Sequence, residues 1–155
     1  MVKKISLLCL FVFAFALSSL GAAMVSFLVI ESGLPTESPS SLKAQMWENN
    51  LLEFFFETGH IVSNAPILRL PHKLDEGFPY EAELHFIEAR NGGMDFFIVA
   101  IIEHPGPHNV TLRLFRTSSE EMLFELAYTA RTYRSSREEQ ESIKNAVSII
   151  AERVR

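Results

Sequence analysis

The side chains with the greatest chemical reach are few. His104 and His108 flank a Pro-Gly-Pro step, a separation at which two imidazoles can share a metal ion. Glu103 would be the natural third ligand, and oriented outer partners would be needed as well. The prolines impose a turn, however, so the two rings need not converge, and a loop of solvated histidines is the simpler reading. Asp95 with His60 or His85 is the other pairing that could move a proton. No serine or cysteine stands in a nucleophile-elbow context, and no glycine-rich phosphate loop precedes a helix. No catalytic residue and no cofactor are therefore assigned. His104 and His108 are kept as candidate metal ligands, and Asp95 reads as a cap at the start of a strand. A small metal-dependent hydrolase using His104, His108 and Asp95 is the alternative function.

The aromatic residues point elsewhere. Trp47, Phe54, Phe55 and Phe56 crowd one stretch, and a helix turns about 100 degrees per residue. Three consecutive phenylalanines cannot all face one core, so Phe56 is expected to emerge at an edge. Trp47 and Phe56 are the candidate partner-binding residues, since buried aromatic anchors dominate interface energetics. The competing reading is a second packing layer at the sheet margin. Asn109-Val110-Thr111 fits a glycosylation sequon, which matters only in a eukaryotic secretory pathway.

Several elements must position these groups. A helix begins at Leu42 with Ser41 as its cap and ends at Gly59. A strand follows over 60–65, limited by Pro66, and 71–78 is a loop. Pro79 opens a second helix with Tyr80, Leu84 and Ile87 on one face, closed by Asn91-Gly92-Gly93. Residues 95–103 are apolar on both alternating faces, which predicts the central strand. Residues 110–115 and 122–130 form a hairpin. Ser135 with Glu138, or Ser136 with Glu139, caps a last helix with a stripe of Ile143, Ala146, Val147, Ile150, Ala151 and Val154. The order α-β-α-β-β-β-α predicts an α/β fold, a four-stranded sheet flanked by helices over residues 42–155.

Ahead of this domain, Lys3 and Lys4 precede a run from Ile5 to Ile30 without a charge. Ile5 to Leu17 fits the apolar core of a signal peptide, with cleavage expected after Gly21 or Ala23. Continued through Ile30, the run is also long enough for a membrane anchor of roughly 20 residues. Residues 1–30 are thus a signal peptide or anchor that places the domain outside, and 31–41, rich in proline and serine, reads as a mobile linker. On that reading a chain trimmed to Ser40 keeps its full stability. Two of the 14 basic residues lie before the run and all 19 acidic ones at or after Glu31, leaving the rest at −7. So acidic a domain excludes a nucleic-acid partner, and membrane contact is left to residues 1–30 if they are retained. Cys9 is the sole cysteine, so no disulfide can form within the chain.

The order of elements and the passage Ala89-Arg-Asn-Gly-Gly-Met-Asp-Phe-Phe-Ile-Val-Ala resemble bacterial envelope proteins related to CsgG, the TolB amino-terminal domain and the LpoB-like lipoprotein activators of penicillin-binding proteins. In those domains a Gly-x-Asp-aromatic step leads into the central strand, matched here by Gly93, Met94, Asp95 and Phe96. The resemblance spans Leu42 to Arg155. It implies a noncatalytic module that binds a protein partner in the periplasm, in an assembly or activator role. The chain lacks the lipobox cysteine that many of those proteins carry.

Overall fold

Strand β1, Met24–Ser32, decides the architecture, and eight of its nine residues are buried. The computed structural model describes residues 21–37, 39–74, 78–105, 109–129 and 133–154. After β1 come helix α1 (Leu42–Glu57), the short strands β2 (Ile61–Asn64) and β3 (Leu68–Leu70), and a 3-10 turn at Tyr80–Ala82 leading into helix α2 (Glu83–Asn91). Strands β4 (Phe96–Glu103), β5 (Asn109–Arg116) and β6 (Met122–Thr129) and helix α3 (Ser136–Ala151) complete the chain. The sheet has six strands in the order β2-β1-β4-β5-β6, with β3 also paired to β1. Strands β2, β3 and β4 run parallel to β1, and the β4-β5-β6 meander is antiparallel.

The α/β class and the central place of β4 agree with the sequence reading, while the four-strand count and the order beginning with a helix do not. Residues 24–30 form a strand inside the sheet, so they are not available as a membrane anchor, and the domain does not begin at Leu42. The reason is physical: a strand covered on both faces shows the same unbroken apolar run as a membrane segment. The proposed signal-peptide core, Ile5 to Leu17, lies outside the described residues. Among those described, no helix is long and apolar enough to cross a membrane.

Alternation along β1 and β4 feeds two cores. Val25, Phe27 and Val29 of β1 join Ile98, Ala100 and Ile102 of β4 beneath α1 and α3, where Trp47, Leu51, Phe55, Ile143 and Val147 pack. Leu28 and Ile30 join Phe97, Val99 and Ile101 on the opposite face, under Ala82, Phe86 and Ala89. The second helix therefore turns a different side inward from the one expected. Tyr80 and Leu84 are exposed, because Phe86 sets its ring edge-on against Phe97 and Phe115. The spacing 82, 86, 89 satisfies helical periodicity as well as 80, 84, 87 does. The stripe expected on α3 is buried throughout, and the cap is Ser135, whose hydroxyl accepts the N–H of Glu138.

The passage from β1 to α1 is tied at both ends, contrary to a free linker starting at Glu31. The N–H groups of Gly33 and Leu34 donate to the Leu70 carbonyl at 2.8 and 3.2 Å. Gly33 has a φ of +83°, and a Cβ there would lie 2.2 Å from the His104 carbonyl oxygen. Only glycine meets both the left-handed backbone and that close approach.

Candidate functional site

The polar groups singled out by the sequence are taken up mainly in building the fold. Asp95 accepts the Met24 N–H on Oδ2 at 2.9 Å, and its own N–H donates to the Met24 carbonyl. It anchors the start of β1 to the start of β4. His60 receives the Ala23 N–H on Nδ1 at 3.3 Å, and His85 faces Glu88 one turn along α2. Neither imidazole pairs with Asp95. Asp95 and His104 stand at opposite ends of β4, roughly 30 Å apart at about 3.3 Å per residue. A hydrolase centre containing both is therefore ruled out by distance.

His104 is not a solvated loop residue. It is 8% exposed and its Nε2 lies 3.2 Å from Oε1 of Glu31, a carboxylate with no exposure at all. The other carboxylate oxygen accepts the Ser41 N–H at 3.0 Å and lies 3.3 Å from Nε of Arg69. Four elements converge here. Glu31 and Arg69 are register partners across β1 and β3, Ser41 caps α1, and His104 leaves the end of β4. The carboxylate also sits at the amino end of α1, where the helix dipole favours negative charge. Burial alone pushes the Glu31 carboxyl up and is the largest single influence on it. The Ser41 hydroxyl and N–H, the Arg69 charge and the His104 ring together outweigh burial, and the group titrates below the ordinary glutamate range. His108 lies outside the described residues. Among those described, no three His, Cys, Asp or Glu side chains are grouped to hold a metal, and Glu103 faces Lys73 instead.

Trp47 is fully buried, packed edge-on against Tyr128 at 5.4 Å. It is a core residue, which removes it from any surface for a partner. Its position in the second turn of α1, facing the hairpin, explains this, since the indole packs between α1 and Tyr128 of β6. The Tyr128 hydroxyl bonds Ser142 at 2.7 Å and also meets the Tyr133 hydroxyl. Burial pushes the Tyr128 phenol up to about 12, so it stays neutral and serves as a hydrogen-bonding group.

Phe56 has the opposite fate. Phe55 is buried in the core while Phe56, the next residue, is 70% exposed. Leu52, one turn earlier on the same side of α1, is exposed too. Near the carboxyl ends of α1 and α3 a cleft of about 500 Å3 opens, with Phe54, Thr58, His60, Ser148, Ala151 and Val154 among its walls. This end of the helical layer combines an exposed aromatic, a neighbouring leucine and a largely apolar cleft. That combination can seat an apolar side chain of a protein partner.

No protein-family model matches the chain, and no curated protein does either. Solved structures share the fold. A variant of PelC from Paraburkholderia phytofirmans, a dodecamer, matches with a TM-score of 0.51 at 15% identity, over 82% of this chain and 86% of that one. A hypothetical protein from Chlamydia trachomatis matches at 0.50 and 14% identity, over 84% and 98%. The C-terminal domain of LpoB from Salmonella enterica is a more distant match, at 0.45 and 12% identity over 74% and 87%.

Proposed function

We propose that this chain is an exported, noncatalytic protein-interaction module of the bacterial cell envelope, with an assembly or activator role. The observation that carries this reading is Phe56, a large aromatic left in solvent while its helix neighbours Trp47 and Phe55 are buried. A large aromatic exposed on a rigid helix contributes little to folding and much to a contact. The fold shared with a dodecameric protein supports a role in assemblies. Lys3-Lys4 and the apolar core from Ile5 to Leu17 support export with the domain outside. Cleavage after Gly21 suits the fold better than cleavage after Ala23. The later cut would remove Ala23, whose N–H meets His60 and whose carbonyl accepts the Ile61 N–H at 3.0 Å.

Phe56→Glu is expected to leave the melting temperature nearly unchanged, since an exposed substitution costs within about 0.5 kcal/mol. A photoreactive residue at position 56 in the living cell should give a discrete adduct with an envelope protein, lost when Phe54, at the cleft wall, is replaced by Asp. The expected mature chain begins at Ala22. Absence of any adduct, with the protein retained in the cytoplasm, would sink the reading.

A further inference from the structure

The two edges of the sheet are finished differently. On one side, β2 and β3 offer only four and three residues, and Pro66 stands between them. A short edge broken by proline is poorly suited to pair with another strand. On the other side, β6 runs for eight residues, Met-Leu-Phe-Glu-Leu-Ala-Tyr-Thr, without a proline or a lysine. Among the described residues its outer edge pairs with nothing. None of the eight is buried, and Phe124, Leu126 and Tyr128 lie only partly covered at the margin of the core. Glu125 is the sole charge, and Arg113 of β5 holds it at 2.7 Å. The one irregularity is the bulge against β5 at Leu123, near the start of the strand, so from Phe124 to Thr129 the outward N–H and C=O groups of β6 lack the proline, lysine or bulge that discourages pairing.

We infer that β6 is a self-complementary interface through which two copies of this chain pair antiparallel about a two-fold axis, joining their sheets edge to edge. A two-fold axis perpendicular to the sheet preserves its faces, so opposed residues must share the same parity. Two such registers overlap seven residues. With Glu125 on the axis, the two carboxylates oppose each other, which is unfavourable. With Leu126 on the axis, Phe124 faces Tyr128 of the second copy and Glu125 faces Ala127, while the bulged Leu123 lies outside this regular pairing. The helix-covered face then gains two Phe–Tyr pairs and one Leu–Leu pair, the kinds of cross-strand contact that stabilise antiparallel sheets. Charge therefore selects one register, and the strand fits a second copy of itself. This surface shares no residue with the Phe56 cleft, so it stands apart from the partner proposed there.

The test is the oligomeric state of the protein as the cell makes it, purified in mild detergent and followed by sedimentation across a range of concentrations. Ala127 is exposed, so substitution there spares the core, and melting curves check that the fold is kept. The parent is expected to be a dimer. Ala127→Glu places a carboxylate opposite Glu125 twice per dimer and should weaken association by roughly three- to tenfold. Ala127→Lys faces the same carboxylate with the opposite charge and should hold or tighten the dimer. A parent that is monomeric at every concentration, or a dimer that responds alike to both substitutions, overturns the inference. So does a monomer that takes up an unrelated extended peptide along β6. A monomeric parent that still gives the adduct from position 56 would remove self-pairing and leave the interaction module standing.

Discussion

A chain beginning at Ser40 is expected not to fold, whereas one beginning at Ala22 is expected to melt cooperatively. The shorter chain loses β1, and with it the buried side chains of Val25, Phe27, Leu28, Val29 and Ile30. Burying one such side chain stabilises by about 1.5–3 kcal/mol, so five together represent roughly 8–15 kcal/mol. That matches the whole stability of an ordinary domain, about 5–15 kcal/mol. The loss is larger still, because β2, β3 and β4 all pair with β1 and would be left with open edges. Thermal melting of the two chains side by side decides the point. A Ser40 chain with an undiminished, cooperative transition would show that β1 is dispensable and would restore a domain boundary near residue 42.

Glu31→Ala is expected to destabilise by about 3–5 kcal/mol, the usual cost of removing one partner from a buried charge cluster. The substitution leaves Arg69 and His104 facing each other without the carboxylate and removes the acceptor for the Ser41 N–H. Glu31→Gln keeps the shape and should lose less. The carboxyl is held below its ordinary value in the folded protein, so its contribution is fully present above the unfolded glutamate value, near 4.5. It is lost as pH falls from there through the lower folded value. Urea unfolding of the parent should show stability dropping across that acid window, and Glu31→Gln should show a shallower slope there. A Glu31→Ala protein within about 0.5 kcal/mol of the parent would mean that the cluster contributes little net stability.

The hairpin, the three helices and the central strand were legible because each has its own periodicity and punctuation. Ser41, Gly59, Gly93 and Ser135 mark boundaries that the backbone respects. Strand β1 is hard to read because its run of Val, Phe, Leu and Ile adjoins the apolar residues from Ile5 onward, and the two merge into one hydrophobic stretch. Its signs were present: Gly21-Ala22-Ala23 interrupts the run, and Ser26, Glu31 and Ser32 are out of place in a membrane core. Strand β3 escaped notice because Pro66 and Pro71 leave so short a segment between them. The Glu31–Arg69–His104 cluster could not be read from spacing, since its members are brought together by parallel pairing of distant strands. His104 looked like a loop residue because Pro105 follows it. Phe56 was legible from rotation alone, and Trp47 was not, because rotation says which side a residue takes but not which side is covered.

The position of β1 also sets the order in which the chain can acquire its structure. Every neighbour of this strand is made after it: Ser63 of β2 bonds Ser26 from 37 residues away, and Asp95 bonds Met24 from 71. Closing such long loops is entropically costly and slow, whereas β5 and β6 meet through a short turn. The hairpin can therefore form early, and the parallel half of the sheet must form late. Meanwhile β1 is synthesised before every strand it pairs with, and its Val-Ser-Phe-Leu-Val-Ile segment has the composition of an aggregation-prone stretch. Until β4 is available that segment lacks its longest pairing partner, and the late closure of β1 with β4 limits how fast this small domain folds.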